Sequence, residues 1–252
     1  FLERPLIDFG EGRMFAPHPE LVIRNAGQGA YRLIKPLSGF DHEFGLSVQR
    51  YVGHILRSLE GEYLLLGAEE LERQAAGQRS CDYLLELNDC ILLIECKAAT
   101  FAARGLLEHV IRNDGSTGKV ADGIVQLYAT AHAVSEGALS DRGVSKAKPV
   151  LGIVATFGEL PLANSDWYFE SFILERASEE LAPPVYPSAM MSRRPVVLTL
   201  QALENLALLM NLHGLSPLDV YEEKEGLSDI LVGDWLQFTR QKLRELPGEP
   251  AS

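Results

Sequence analysis

Residues Cys81–Lys97 read CDYLLELNDCILLIECK, two apolar runs separated by Asn88 and Asp89. Both separating residues tolerate the positive φ angles of a tight turn, so the pattern predicts a β-hairpin with these two residues at its tip. With this turn, Asp82 lies directly opposite Glu95.

The predicted hairpin carries a charged cluster at its open end. Opposed side chains have Cβ atoms about 4.5 to 5.5 Å apart, and two carboxylates at that distance repel unless a cation lies between them. Lys97 lies two residues after Glu95 and therefore points to the same face. Toward the turn, the face of the cluster carries Leu84, Ile91 and Leu93, and the opposite face carries Cys90, Leu92, Ile94 and Cys96. Unpaired charges in such a core are costly, so function explains them better than structure does.

The chemistry of Asp82, Glu95 and Lys97 suits the hydrolysis of a phosphodiester. Carboxylate oxygens are ligands that Mg²⁺ or Mn²⁺ prefers, and the ion would stabilise a charged transition state. The backbone carbonyl of Cys96 would complete the metal ligands, and the Lys97 ammonium group would orient or activate the attacking water. The alternative is a salt-bridge cluster at a surface edge, which the apolar flanks disfavour.

A known family has this spacing. Asp82, twelve intervening residues and then Glu95-Cys96-Lys97 resemble the D-Xn-ExK signature of the PD-(D/E)XK nucleases, with Cys81 where that signature usually has proline. The resemblance implies a restriction-endonuclease-like or RecB-like core in which the Asp and the Glu bind the metal and the Lys assists attack. A second ExK pattern, Glu222 to Lys224, lies in a polar stretch with no strand before it.

The helices on either side of the hairpin extend the resemblance. The segment Phe44–Leu56 resembles the family's first helix, in which a glutamate often completes the metal shell. Gln49 stands at that position, and Glu43 is a substitute candidate. For Gln49 and Glu43, a solvated polar position on a helix is the favoured interpretation. Whether the site at Asp82 and Glu95 would hold one metal ion or two is left open.

The helix after the hairpin resembles the family's glutamine-bearing helix. It spans Gly118–Ala131, and the resemblance implies a catalytic role for Gln126, although an ordinary polar helix position explains this residue equally well. The tyrosine of the RecB-like pattern is displaced to Tyr128. Lys119 and Arg112 are expected to contact phosphate near this helix.

Beyond the hairpin, helices and strands alternate. The patterns predict helices near Asp41–Gly61, Ser116–Ala131, Asp166–Leu181 and Gln201–Leu212, and strands near Tyr63–Leu66, Pro149–Phe157 and Pro195–Leu200. This order predicts an α/β fold, a restriction-endonuclease-like core with a central mixed β-sheet flanked by helices on both faces. We expect an N-terminal extension at residues 1–40, a nuclease-like domain at 41–215, and a C-terminal helical segment and tail at 216–252. The extension should contain a short helix near Pro19–Arg24 and a strand near Tyr31–Ile34.

Composition limits the possible functions. The chain has 252 residues, 46% of them hydrophobic, and a net charge of -12, which disfavours nucleic-acid binding by bulk electrostatics. The stretch from residue 90 to 150 is nevertheless close to neutral, with seven basic and six acidic residues. The three cysteines lack zinc-site spacing, and no GxSxG motif indicates a hydrolase triad. Without a secretory signal or a membrane-spanning apolar run, we expect a cytoplasmic protein that makes no use of a membrane.

The sequence therefore predicts a Mg²⁺- or Mn²⁺-dependent nuclease that acts on DNA rather than RNA. We expect it to be the effector domain of a larger restriction, defence or repair protein, with additional domains or a homodimer supplying further contacts to nucleic acid. The alternative is a catalytically inactive nuclease-fold module for nucleic-acid binding or assembly. A third interpretation is an unrelated α/β protein in which the ExK match is accidental.

Overall fold

A computed structural model of the chain describes residues 7–8, 10–16, 31, 33–74, 79–99, 115–160, 162–175, 191–225 and 234–246. The chain divides into two compact units, Phe1–Leu46 and Ser47–Ser252. The first unit contains a small antiparallel hairpin of β1 (Ile7–Asp8) and β2 (Met14–Phe15). The helix predicted at Pro19–Arg24 lies outside the described residues.

The strand predicted for Tyr31–Ile34 is wrong, because the described residues of this segment are helical. The Lys35 N–H donates to the Tyr31 carbonyl at 2.8 Å, an i to i+4 bond typical of a helix. The Tyr31 ring packs against Phe40 and Phe44, with centroids 5.8 and 4.9 Å away. A segment of four residues is too short for its hydrophobic periodicity to distinguish a strand from a helix.

The second unit contains a five-stranded mixed sheet with the strand order β3-β4-β5-β6-β7. The strands are β3 (Leu64–Gly67), β4 (Tyr83–Glu86), β5 (Ile91–Lys97), β6 (Val150–Thr156) and β7 (Val196–Thr199). Strands β3, β4 and β5 are antiparallel neighbours, whereas β6 and β7 continue the sheet parallel to β5. All residues of β4 and β6 are buried, as expected for strands that are covered on both faces.

The hairpin register predicted from Asn88 and Asp89 is confirmed. Tyr83 pairs with Ile94, and the other residues of β4 follow β5 in the same register. The two-residue turn leaves the alternation of β5 unbroken, so its odd-numbered and even-numbered residues face opposite sides of the sheet.

Seven helices surround the sheet in the described part of the chain. They are α1 (Phe40–Arg57), α2 (Ala68–Gln74), α3 (Gly115–Ser135), α4 (Asp166–Tyr168), α5 (Leu200–His213), α6 (Pro217–Glu225) and α7 (Trp235–Glu245). One apolar cluster joins α3 to Leu84 and Leu93 of the sheet. A second joins the C-terminal half of α1, together with α5, α6 and α7, to Leu85 and Leu92. The predicted α/β fold, a mixed sheet with helices on both faces, is confirmed.

The helix predicted for Asp166–Leu181 changes type after one turn. The Ser165 hydroxyl accepts a hydrogen bond from the Tyr168 N–H and begins α4, which continues as a π-helix over Phe169–Leu174. Residues 176–181 of the prediction lie outside the described residues. Hydrophobic periodicity over a few residues does not distinguish the two helix types. None of the helices in the described ranges is long and apolar enough to cross a membrane.

Candidate active site

The carboxyl end of β5 carries the charged side chains of the site. Glu95 and Lys97 point to the side of the sheet that α3 covers, and the partly buried Cys96 packs into the apolar cluster on the opposite side. Glu95 is almost completely enclosed, with 2% of its surface exposed. The alternation of a strand thus places an acid and a base side by side beneath a helix.

Asp82 lies in a bend immediately before β4 and meets β5 through both its side chain and its backbone. Its Oδ2 accepts a hydrogen bond from the Cys96 N–H at 2.8 Å, and its own N–H donates to Glu95 Oε2 at 3.1 Å. The Asp82 carboxylate therefore binds the β5 backbone next to the pair of Tyr83 and Ile94, where the ladder between β4 and β5 ends. The predicted neighbourhood of Asp82 and Glu95 is present.

Lys97 is held by two acceptors. Its Nζ lies 2.7 Å from Glu95 Oε1 and donates to Gln126 Oε1 at 2.6 Å. The Gln126 amide is oriented in turn, since its Nε2 donates to the Ser80 carbonyl at 3.1 Å. Ser80 precedes the hairpin and has no signal in the sequence that marks it as part of the site. The structure thus brings Gln126, predicted only from resemblance, into direct contact with Lys97.

Gln49 completes the cluster from the other side of the hairpin. Its Nε2 donates to Asp82 Oδ1 at 2.7 Å, and its backbone carbonyl accepts a hydrogen bond from the Tyr83 hydroxyl at 3.0 Å. The favoured interpretation of Gln49 as a solvated polar residue is therefore wrong. Its position in the family alignment was the signal that could have placed it here. Glu43 is exposed, and it belongs to the first compact unit.

The surroundings of the cluster raise the pKa values of both acids. Burial, followed by the neighbouring Asp82 carboxylate, raises the pKa of Glu95 to about 8, although Lys97 acts in the opposite direction. Burial also raises the pKa of Asp82 above its ordinary value, outweighing the hydrogen bonds from Cys96 and Gln49. One lysine thus offsets only part of the cost of burying two carboxylates.

The donor set suits a hard divalent cation. Two carboxylates whose charges are incompletely balanced would gain from a further positive charge, and oxygen ligands are those that Mg²⁺ and Mn²⁺ prefer. Asp82 and Glu95 would hold such an ion together with the Cys96 carbonyl. In a strand, the N–H and the C=O of a residue point in the same direction. The Cys96 N–H donates to Asp82, so the Cys96 carbonyl points toward the strand edge at which Asp82 lies. Among the described residues, no group of three or more His, Cys, Asp or Glu side chains could hold a metal ion, so Asp82 and Glu95 would need the backbone carbonyl as a further ligand.

Other residues named by the resemblance lie elsewhere. Tyr128, on α3, is buried in the apolar cluster between this helix and the sheet, and its burial raises the pKa of the phenol to about 12. Lys119 is partly buried on the first turns of the same helix. Arg112 falls outside the described residues.

Comparisons with known proteins add little to this geometry. The chain matches no protein-family model and no curated protein. Among solved structures it is similar to the small subunit of the heterodimeric restriction endonuclease R.BspD6I. The TM-score is 0.39 and the identity 14%, over 84% of this chain and 95% of that chain. At these values the similarity assigns no family, and the resemblance to PD-(D/E)XK nucleases stays a prediction from the sequence.

Proposed function

We propose that the protein is a metal-dependent nuclease of the PD-(D/E)XK type that hydrolyses phosphodiester bonds, with DNA as the expected substrate. One observation carries the proposal: Asp82, Glu95 and Lys97 meet at one end of a buried strand pair, linked by contacts of 2.7 to 3.1 Å. A structural role explains this poorly, because two buried acids beside one base lower the stability of the fold.

Each residue has a distinct task in this proposal. Asp82, Glu95 and the Cys96 carbonyl would bind Mg²⁺ or Mn²⁺, an ion that polarises the scissile phosphate and stabilises the negative charge that develops on it. Lys97 would orient the attacking water or stabilise it as it loses its proton. Gln126 holds the Lys97 ammonium group in place, because its own amide is anchored to the hairpin through Ser80.

Substrate binding would draw on more than this chain. The net charge of -12 opposes the approach of a polyanion, and phosphate contacts come mainly from Lys and Arg. We therefore propose that additional domains or a second copy of the chain supply part of the nucleic-acid surface. This arrangement suits an effector domain of a larger restriction, defence or repair protein.

The direct test is cleavage of supercoiled plasmid, linear duplex and single-stranded RNA by the purified chain in Mg²⁺, in Mn²⁺ and in chelator. We expect metal-dependent cleavage of DNA that falls about 10²-fold or more in Lys97→Met and in Asp82→Asn, since positioned proton-transfer and charge-stabilising groups typically contribute this much. Lys146→Met and Glu62→Gln are matched controls, because both side chains are exposed. No cleavage with either metal, or cleavage that survives both site substitutions, would overturn the proposal.

A specific observation favours a second candidate, an inactive nuclease-fold module that binds nucleic acid or supports assembly. A neutral glutamine, Gln49, contacts the Asp82 carboxylate where the family often has a glutamate, which leaves fewer charged ligands for metal. This candidate predicts that the chain takes up no Mn²⁺. Calorimetry that detects Mn²⁺ binding in the wild type and its loss in Glu95→Ala would contradict it.

A further inference from the structure

Helices α1 and α3, which carry Gln49 and Gln126, each have a glycine one helical turn away from the glutamine, on the helix face that packs against the sheet. Gly53 follows Gln49 by four residues on α1, and Gly123 precedes Gln126 by three residues on α3. Residues at this spacing lie on the same helix face. Glycine in a helix interior lowers stability relative to alanine, so each position calls for a reason.

At Gly123 the reason is the close approach of the catalytic side chains. A Cβ added there would lie 3.2 Å from Glu95 Cγ, 3.3 Å from Lys97 Cε and 3.4 Å from Val154 Cγ1. The aliphatic parts of Glu95 and Lys97 thus pack directly on the backbone of α3. Any side chain at this position would push them, or the helix, outward by a few tenths of an ångström.

At Gly53 the neighbour is the ring that anchors Gln49. An added Cβ would lie 2.5 Å from the Tyr83 hydroxyl oxygen and 3.0 Å from Tyr83 Cζ, which is closer than real contacts allow. The same hydroxyl donates to the Gln49 carbonyl. Neither glycine is among the residues with positive φ, so backbone conformation does not require glycine at either position.

We propose that Gly53 and Gly123 are positioning residues that set how closely α1 and α3 approach the hairpin. Through this spacing, Gly53 places Gln49 against Asp82, and Gly123 places Gln126 and Glu95 around Lys97. The effect on catalysis rests on the proposed nuclease function, whereas the effect on the two glutamine contacts does not depend on it.

The experiment compares Gly53→Ala and Gly123→Ala with two matched controls in the same helices, Gly45→Ala and Gly115→Ala. An added Cβ at either control position meets no heavy atom within 4 Å. The first readout is the side-chain amide NMR signals of Gln49 and Gln126, assigned from spectra of the two glutamine-to-alanine variants. We expect a crossed pattern: Gly53→Ala displaces the Gln49 signal alone, Gly123→Ala displaces the Gln126 signal alone, and the controls move neither.

The second readout is steady-state cleavage of DNA. We expect kcat to fall on the order of tenfold to a hundredfold in both site variants with little change in KM, because small misplacements of catalytic groups slow the chemical step. If Gly53→Ala fails to fold, the comparison is made in a Tyr83→Phe background, which removes the atom nearest to the new methyl group. Tyr83→Phe alone is then the reference, because this substitution also removes the hydrogen bond to the Gln49 carbonyl. For Gly123→Ala, a Val154→Ala background relieves one of the three contacts in the same way.

The two proposals fail differently. Wild-type protein that cleaves nothing refutes the nuclease function, and the amide signals still decide the positioning role. Amide signals that stay in place in both site variants, or that move equally in the controls, overturn the positioning role even if the protein is an active nuclease.

Discussion

Replacing Glu95 by glutamine tests the electrostatic account of the site most directly. Burial and the Asp82 carboxylate raise the pKa of Glu95 from its ordinary value of 4.5 to about 8 in the folded protein. In the unfolded chain the group regains its ordinary value. Between these two pKa values, the folded state therefore holds a proton that the unfolded state has released.

The sign and size of the effect follow from proton linkage. Stability falls with rising pH wherever the folded state binds more protons, so Glu95 destabilises the fold progressively from about pH 5 to about pH 8. Each tenfold change in proton affinity is worth about 1.4 kcal/mol, so the change from 4.5 to about 8 corresponds to roughly 4 to 5 kcal/mol. Glutamine does not titrate, so Glu95→Gln should remove most of this slope. The raised pKa of Asp82 contributes a slope of the same sign in both proteins.

The measurement is chemical denaturation of the wild type and Glu95→Gln at several pH values from 5 to 9, without divalent metal. Glutamine has one acceptor oxygen for two donors, the Lys97 ammonium and the Asp82 N–H, so the variant loses some stability at every pH. The slope, rather than the offset, is therefore diagnostic. Parallel stability curves for the two proteins would contradict this expectation, because they would mean that Glu95 ionises normally in the folded state.

Three further substitutions test separate parts of the structure. Gln49→Glu adds a carboxylate beside Asp82, so without metal it should lower the free energy of unfolding by about 1 kcal/mol at pH 8. It should also raise Mn²⁺ affinity in calorimetry about tenfold, and an unchanged affinity would contradict a metal role for this position. Lys148→Ala removes the partner 2.7 Å from the buried Glu86 and should cost about 2 kcal/mol in urea denaturation, less than a fully buried pair because Lys148 is partly exposed. Leu84→Ala, at a fully buried position, should cost about 2 to 5 kcal/mol, and a loss below 1 kcal/mol would show that the core is loosely packed there.

Local sequence patterns determined the hairpin and the placement of its charged residues. The two turn residues and the apolar runs on either side of them are short-range features, and together they set the register of β4 against β5. The register placed Glu95 and Lys97 on one face, and the alternating helices and strands identified the α/β class. The register was predictable because a two-residue turn at Asn88 and Asp89 fixes which residues of the two strands pair.

Only the tertiary structure decided how the helices complete the site. Gln49 and Gln126 lie 33 and 29 residues from the side chains that they contact, and helical periodicity indicates which face is buried but not which strand residue it meets. The raised pKa of Glu95 and the close contacts at Gly53 and Gly123 depend on how closely α1 and α3 pack against the hairpin. Interhelix and helix–strand distances are set by many contacts distributed along the chain, whereas the hairpin is set by its own seventeen residues.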